Sequence, residues 1–172
     1  MDPLLSIVIP VFNEEANVDL LYQRLTQAVG ALGQIEYIFV NDGSQDQTLA
    51  KVKALREQDP QVKYLSFSRN FGHQVAVTAG LDVSRGLSVV IIDADLQDPP
   101  EVIPELYQKF KAGCDVVYAV RSKRQGEGFL KKATAAMFYR LLKFLTGFSI
   151  PVDVGDFRLM SRRAVNVFNQ LR

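Results

Sequence analysis

One cysteine, one histidine and no tryptophan stand in the 172 residues of this chain. Cys114 cannot close an intramolecular disulfide, so the fold does not rely on an oxidising compartment, and a lone thiol of this kind reads as a small buried hydrophobe. With His73 the single histidine, a histidine-rich metal site is excluded. An excess of one charge is missing too. Twenty Lys and Arg oppose 19 Asp and Glu, for a net charge of +1, which excludes the global positive field of a nucleic-acid binder and leaves any basic surface local. No run reaches the roughly 18 consecutive apolar residues that a membrane-crossing helix requires. Met1-Asp2-Pro3 lacks the basic start of a secretion signal, and the apolar run Leu4 to Pro10 is short and follows an acid, so the chain reads as cytoplasmic. Repeats, low-complexity tracts and Pro/Gly-rich linkers are also absent, which favours one compact core at this length. Neither G-x-G-x-x-G nor G-x-x-x-x-G-K-[ST] follows the first strand, which weakens the dehydrogenase and NTP-hydrolase readings.

What is present is an ordinary globular composition, 48% hydrophobic and 23% charged. Short β-branched runs alternate with longer helical segments, the rhythm of parallel strands joined by crossover helices. Strands are predicted at Leu5–Pro10, Ile35–Val40, Val62–Phe67, Leu87–Asp93 and Asp115–Val120, each nearly continuous in apolar residues and so covered on both faces. Asn13 is expected to cap a helix whose first turn carries Glu14 and Glu15. Ser44 or Asp46 would cap the segment running to about Gln58, and Asp98-Pro99-Pro100-Glu101 opens a helix that stops at Gly113. A helical segment near Leu130–Phe148, a short extended piece at Asp156–Met160 and a final helix to Arg172 follow. The fold class is α/β, an open and mostly parallel sheet with helices on both faces.

Open parallel sheets bind ligands beyond the carboxyl ends of their strands, and the unusual polar residues fall there. Pro10-Val11-Phe12-Asn13-Glu14 follows the first strand, Asn41-Asp42-Gly43-Ser44 the second, and Asp93-Ala94-Asp95-Leu96-Gln97 the fourth. On an extended backbone Asp93 and Asp95 face the same way, and two hard anions in one cleft call for Mg²⁺ or Mn²⁺, with Gln97 one alternation further as an added oxygen ligand. Such a cation, completed by phosphate oxygens, would make a diphosphate a better leaving group. The same two acids at a loop start also suit a solvated turn. Asp42 could accept from a nucleobase N–H, with Gly43 permitting close backbone approach, although an Asx turn leading into the next helix fits the spacing equally well. In Ser68-Arg69-Asn70-Phe71-Gly72-His73-Gln74, Arg69 offers forked donors to phosphate. His73 reads first as a packing or helix-capping residue.

Together, Leu5 to Glu14, Val40 to Ser44 and Asp93 to Pro100 resemble family 2 glycosyltransferases of the Rossmann-like GT-A fold, over nearly the whole chain. Ser68 to Gly72 and Asp153-Val154-Gly155-Asp156-Phe157-Arg158 further resemble the polyisoprenyl-phosphate branch of that family. The resemblance implies an inverting transfer of a hexose from a nucleotide-sugar, UDP-glucose before GDP-mannose, to a polyisoprenyl phosphate at the cytoplasmic face of a membrane. It sets Pro10, Phe12, Glu14, Asp42, Arg69 and Asp93 on the donor, with Asp42 near the base. Asp93 and Asp95 would stand at the diphosphate and metal, and Arg121 and Arg158 at phosphates. Phe12 occupies a position where many relatives carry tyrosine. The resemblance also implies that residues 1–172 form one catalytic domain, shortened relative to a full-length enzyme that continues into membrane helices.

Inversion normally needs a general base, for which Asp156 is the candidate. An acceptor phosphate with a second pKa near ~6 is already charged at neutral pH, however, so Asp156 would orient groups that Arg121 and Arg158 grip. Pairing of Asp156 with Arg158 is the plainer alternative. Within residues 129–148, Leu130, Ala133, Met137, Leu141, Phe144, Leu145 and Phe148 form one apolar stripe, with Lys132, Tyr139 and Lys143 opposite. With a lipid-linked acceptor expected, that pattern is assigned to a membrane interface, a core-facing helix being the alternative. Other classes remain: a soluble family 2 enzyme acting on sugar or protein, a non-catalytic nucleotide-sugar module, or a nucleotidyl transferase. The intact Asp93 and Asp95 pair argues against the binding module. The sequence leaves homo-oligomerisation open.

Overall fold

The computed structural model describes residues 4–120 and 154–171. Its elements, in chain order, are β1 (Leu5–Val11), α1 (Val18–Val29), β2 (Ile35–Asn41), α2 (Thr48–Gln58), β3 (Val62–Ser66), α3 (His73–Val83), β4 (Ser88–Ile91), α4 (Ile103–Lys111), β5 (Val116–Val120), β6 (Val154–Ser161) and α5 (Arg162–Gln170). The chain divides into two compact units. One combines Met1–Tyr118 with Asp156–Arg172, and the other is Ala119–Gly155. Arg121 and the interfacial helix expected over residues 129–148 lie outside the described residues. Among the described residues, no helix is long and apolar enough to cross a membrane.

The sheet runs β3-β2-β1-β4-β6-β5. β1 pairs in parallel with both β2 and β4, and β2 with β3, so the strand order reverses direction at β1. Every residue of β1, β2 and β4 is buried, which explains their near-continuous apolar runs. Val8, Ile38, Val40, Val89 and Ile91 pack with Ala76, Val77 and Leu81 of α3. Each such side chain contributes about 1.5–3 kcal/mol on burial. Gly80 lets α3 lie directly on β1, since a Cβ there would meet Val8 Cγ1 at 2.3 Å. Tyr22 of α1 packs edge-on against Tyr37, whose neighbour Ile38 faces the α3 side. Alternation along β2 therefore puts helices on both faces of the sheet.

Four expectations change. β3 and β5 lie at the sheet edges and are largely exposed instead of being covered on both faces, β5 alternating between exposed and half-buried residues and β3 carrying the polar interruptions Lys63 and Ser66. α1 begins at Val18, because Asn13 adopts a left-handed φ of 55° and does not cap it. Asn13 instead laces two loops: its N–H donates to Ser44 Oγ at 2.9 Å and its Oδ1 accepts from Gln45 N at 2.9 Å. Asp46 does accept from Thr48 N at the start of α2. Cys114 is exposed, following the turn at Gly113 that ends the α4 region. Last, the extended piece near Asp156 is a full strand, antiparallel to β4.

That antiparallel return positions the site. β6 begins where β4 ends, with Ile91 opposite Arg158. Continuing this register by two residues brings Asp156 to the level of Asp93.

Candidate functional site

A cleft of about 290 Å³ opens at the carboxyl edge, lined by Pro10, Val11, Phe12, Glu14, Asp42, Asn70, Gly72, His73, Ala76, Asp93, Ala94 and Asp95. All three clusters expected after β1, β2 and β4 reach it. Phe12 presents an exposed ring, while Glu14 is half-buried and accepts from Asn17 Nδ2 at 2.7 Å.

Asp42 is buried, and both of its oxygens are engaged: Oδ1 accepts from Phe71 N at 2.7 Å and Oδ2 from Gly72 N at 2.9 Å. It therefore pins the segment before α3 against the β2 turn. The two backbones approach so closely that a Cβ on Gly43, which has φ 71°, would lie 2.4 Å from the Arg69 carbonyl carbon. The side-chain bond that braces this bend comes from Asn41, whose Oδ1 accepts from Ser44 N at 3.2 Å, three residues on. Arg69 itself is exposed and stacks over the Phe71 ring at 4.5 Å, one residue before the cleft-lining Asn70.

Ala94 and Asp95 form a turn in place of the extended continuation expected of the Asp-x-Asp motif. Asp95 reaches the cleft wall, and its Oδ1 accepts from Gln97 N at 3.0 Å, a local bond within that turn. Gln97 is exposed and does not line the cleft. Asp93 gains two other neighbours. His73 Nε2, at the start of α3, lies 3.1 Å from Asp156 Oδ2 and 3.6 Å from Asp93 Oδ1. Potential ligand atoms of His73, Asp93 and Asp156 all lie within 4.8 Å of one another. Asp156 Oδ1 meets Arg158 Nη1 at 3.5 Å.

Burial pushes the Asp93 carboxyl above the usual carboxylate range. Asp156, Asp95 and Asp98 push the same way, against the pull of His73. Asp93 Oδ1 is buried without a hydrogen-bond partner. A buried, partnerless carboxylate oxygen facing a second carboxylate and an imidazole is the donor set a divalent cation satisfies, so the residues present fit such an ion. His73, read from the sequence first as a packing or capping residue, is placed by the structure in the cleft wall beside both acids. The available signal was the position of the chain's single histidine in the polar segment after β3, on the edge where the other clusters gather.

The glycosyl transferase family 2 model matches residues 6–168. The glycosyltransferase YkcC of Bacillus subtilis (strain 168) is 52% identical over 168 residues, covering 97% of this chain and 52% of that protein. The bactoprenol glucosyl transferase of Shigella phage SfX is 47% identical over 162 residues, covering 94% of this chain and 53% of that protein. The chain thus spans about half the length of the curated relatives it matches. Among solved structures, glucosyl-3-phosphoglycerate synthase from Mycobacterium tuberculosis, in complex with Mn²⁺, UDP and glucosyl-3-phosphoglycerate, superposes with a TM-score of 0.65 at 23% identity. That match covers 94% of this chain and 57% of the other. This likeness establishes the GT-A fold.

Proposed function

Because this chain belongs to glycosyl transferase family 2, we propose that it supplies the catalytic residues for inverting transfer of a hexose, glucose in the first instance, from a UDP-sugar to a polyisoprenyl phosphate at the cytoplasmic face of a membrane. The observation that carries the reading is that His73 and Asp93 line one cleft with Asp42 and Phe12, while Asp156 brings a ligand atom within 4.8 Å of both. The acceptor class is supported by relatives named bactoprenol glucosyl transferase at 46–47% identity.

In the proposed reaction an oxygen of the acceptor phosphate attacks the anomeric carbon from the face opposite the diphosphate. The bond from that carbon to the diphosphate oxygen breaks, and UDP leaves with the electron pair. When bound at Asp93, Mg²⁺ or Mn²⁺ supplies charge neutralisation at the leaving diphosphate. Pro10, Phe12, Glu14 and Asp42 hold the nucleoside. Phe12 offers its ring face, and Asp42 keeps the Asn70–Gly72 backbone in place through its two N–H bonds. Arg69, stacked on Phe71, meets phosphate at the cleft rim, and Asp95 borders the diphosphate. Arg158, beside Asp156, grips the acceptor phosphate.

Asp156 acts as an orienting anion. Its two oxygens face different partners, His73 and Arg158, and a phosphate nucleophile that is mostly dianionic above its second pKa of ~6 needs no proton removed. The deciding experiment incubates the protein with UDP-glucose, UDP-N-acetylglucosamine or GDP-mannose, a short-chain polyprenyl phosphate and Mn²⁺, and identifies the lipid product. Glucosyl-phospholipid formed only from UDP-glucose is the expected result. Transfer to free sugars instead would defeat the proposed acceptor. A rate-against-pH profile for Asp156→Asn keeping the wild-type rise of rate on the acidic side is expected, and loss of that rise would restore the general-base role.

A further inference from the structure

We infer that His73 is itself a ligand of the divalent cation, so that His73, Asp93 and Asp156 form a mixed nitrogen and oxygen site that takes Mn²⁺ in preference to Mg²⁺. This rests on the proposed function only in requiring a cation at Asp93. Which other side chains hold that cation is a separate question, and the sequence alone pointed to Asp95 and Gln97.

Three observations favour the imidazole. First, adjacent ligand atoms on an octahedral ion with bonds of ~2.1 Å sit about 3 Å apart. His73 Nε2 stands 3.1 Å from Asp156 Oδ2 and 3.6 Å from Asp93 Oδ1, in reach of such an arrangement with small side-chain adjustments. Second, the separation from Asp93 is too long for a good hydrogen bond, and Asp93 Oδ1 is left buried without a partner. An ion shared between Nε2 and Oδ1 removes that deficit. Third, the turn at Ala94–Asp95 ties Asp95 Oδ1 to Gln97 N. Among the described residues, the group of potential ligands within 4.8 Å comprises His73, Asp93 and Asp156, without Asp95.

The backbone supports the same assignment. Asp42 fixes the peptide units of Phe71 and Gly72 immediately before His73, so the start of α3 is anchored where its imidazole meets β6. In the liganded state Nε2 gives its lone pair to the ion and Nδ1 carries the ring proton. Imidazole is a ligand for transition metals, whereas Mg²⁺ prefers all-oxygen shells that retain several waters. A nitrogen in the shell therefore sets the preference for Mn²⁺.

Because the chain contains a single histidine, the test is direct. Untagged protein is loaded with Mn²⁺ in the presence of UDP, and electron spin echo envelope modulation is recorded for ¹⁴N coupled to the manganese. Imidazole coupling is expected in the wild type and absent in His73→Gln. In that variant Mn²⁺ should bind at least about tenfold more weakly, the smaller end of the loss produced even by removing an outer-sphere partner. Mg²⁺ should also displace Mn²⁺ from the variant at about tenfold lower concentration. Circular dichroism confirms folding, which is expected to be unchanged because the His73 side chain is 40% exposed. Bound Mn²⁺ with no ¹⁴N imidazole coupling in the wild type, or coupling that persists in His73→Gln, overturns the inference. Glucosyl transfer proceeding alongside that result would sink the ligand assignment alone. Nitrogen coupling without transfer to any polyprenyl phosphate would uphold it while removing the proposed reaction.

Discussion

The two ends of the central sheet treat a carboxylate in opposite ways. At the amino edge, Glu36 is buried and saturated: Ser6 Oγ donates at 2.5 Å, Lys63 Nζ at 2.5 Å and Arg85 N at 2.6 Å. Burial pushes its carboxyl upward, yet Lys63, Ser6 and the Arg85 N–H together outweigh that and hold it below the usual carboxylate range. At the carboxyl edge, burial dominates for Asp93, which keeps an unpartnered oxygen and is pushed above that range. The contrast separates a carboxylate satisfied by the fold from one that the fold leaves short of partners, where a ligand can supply them.

The sharpest way to break this contrast is to neutralise each acid in turn. Asp93→Asn is expected to lower glucosyl transfer by about 10³-fold, the scale of losing a main electrostatic contact in the transition state. Its melting temperature should be unchanged or slightly higher, because a poorly compensated buried charge is removed. Glu36→Ala should do the reverse. Loss of about 3 kcal/mol, from stranding the Ser6 hydroxyl, the Arg85 N–H and Lys63, would lower the melting temperature by roughly 6–12 °C while leaving transfer at low temperature near wild type. If Asp93→Asn proves the more destabilising of the two, the division of labour is wrong.

The pH dependence sharpens the same point. With its folded pKa depressed, Glu36 contributes stability that is fully present above the unfolded carboxylate range and is lost as pH falls through the folded value. The melting-temperature gap between wild type and Glu36→Gln should therefore shrink on acidification through and below pH ~4. A gap that widens there would contradict the assignment. The smallest effect is expected from Lys63→Met, about 1 kcal/mol by denaturant titration, because Lys63 is 45% exposed and water can replace it beside Glu36.

Much of the site was legible because apolar runs end abruptly in polar clusters at strand exits. Pro10 to Glu14, Asn41 to Ser44 and Asp93 to Asp95 needed only the rule that parallel strands deliver their carboxyl ends to one edge. What could not be read locally depends on chain reversal. Asp156 joins Asp93 because β6 runs antiparallel beside β4, a pairing no short-range pattern specifies. His73 joins them because Asp42 spends both oxygens on the backbone before α3, and the Asp42 spacing fitted a nucleobase contact equally well. The Asp-x-Asp motif failed as an extended pair because the strand stops at Ile91 and the chain turns at Ala94, with Leu96 at φ 62°. Glu36 did leave a trace: an acid inside Ile35-Glu36-Tyr37-Ile38-Phe39-Val40 had to find partners if the strand was covered on both faces.

The antiparallel pairing of β6 with β4 also makes the placement of Asp156 a property of two neighbouring strands. Hydrogen bonding to β4 sets the register of Asp156 opposite Asp93, so the length of chain between β5 and β6 does not enter into it. A slip of β6 by one residue along β4 would turn the Asp156 position to the other face of the sheet, so the meeting of the two acids stands or falls with that ladder.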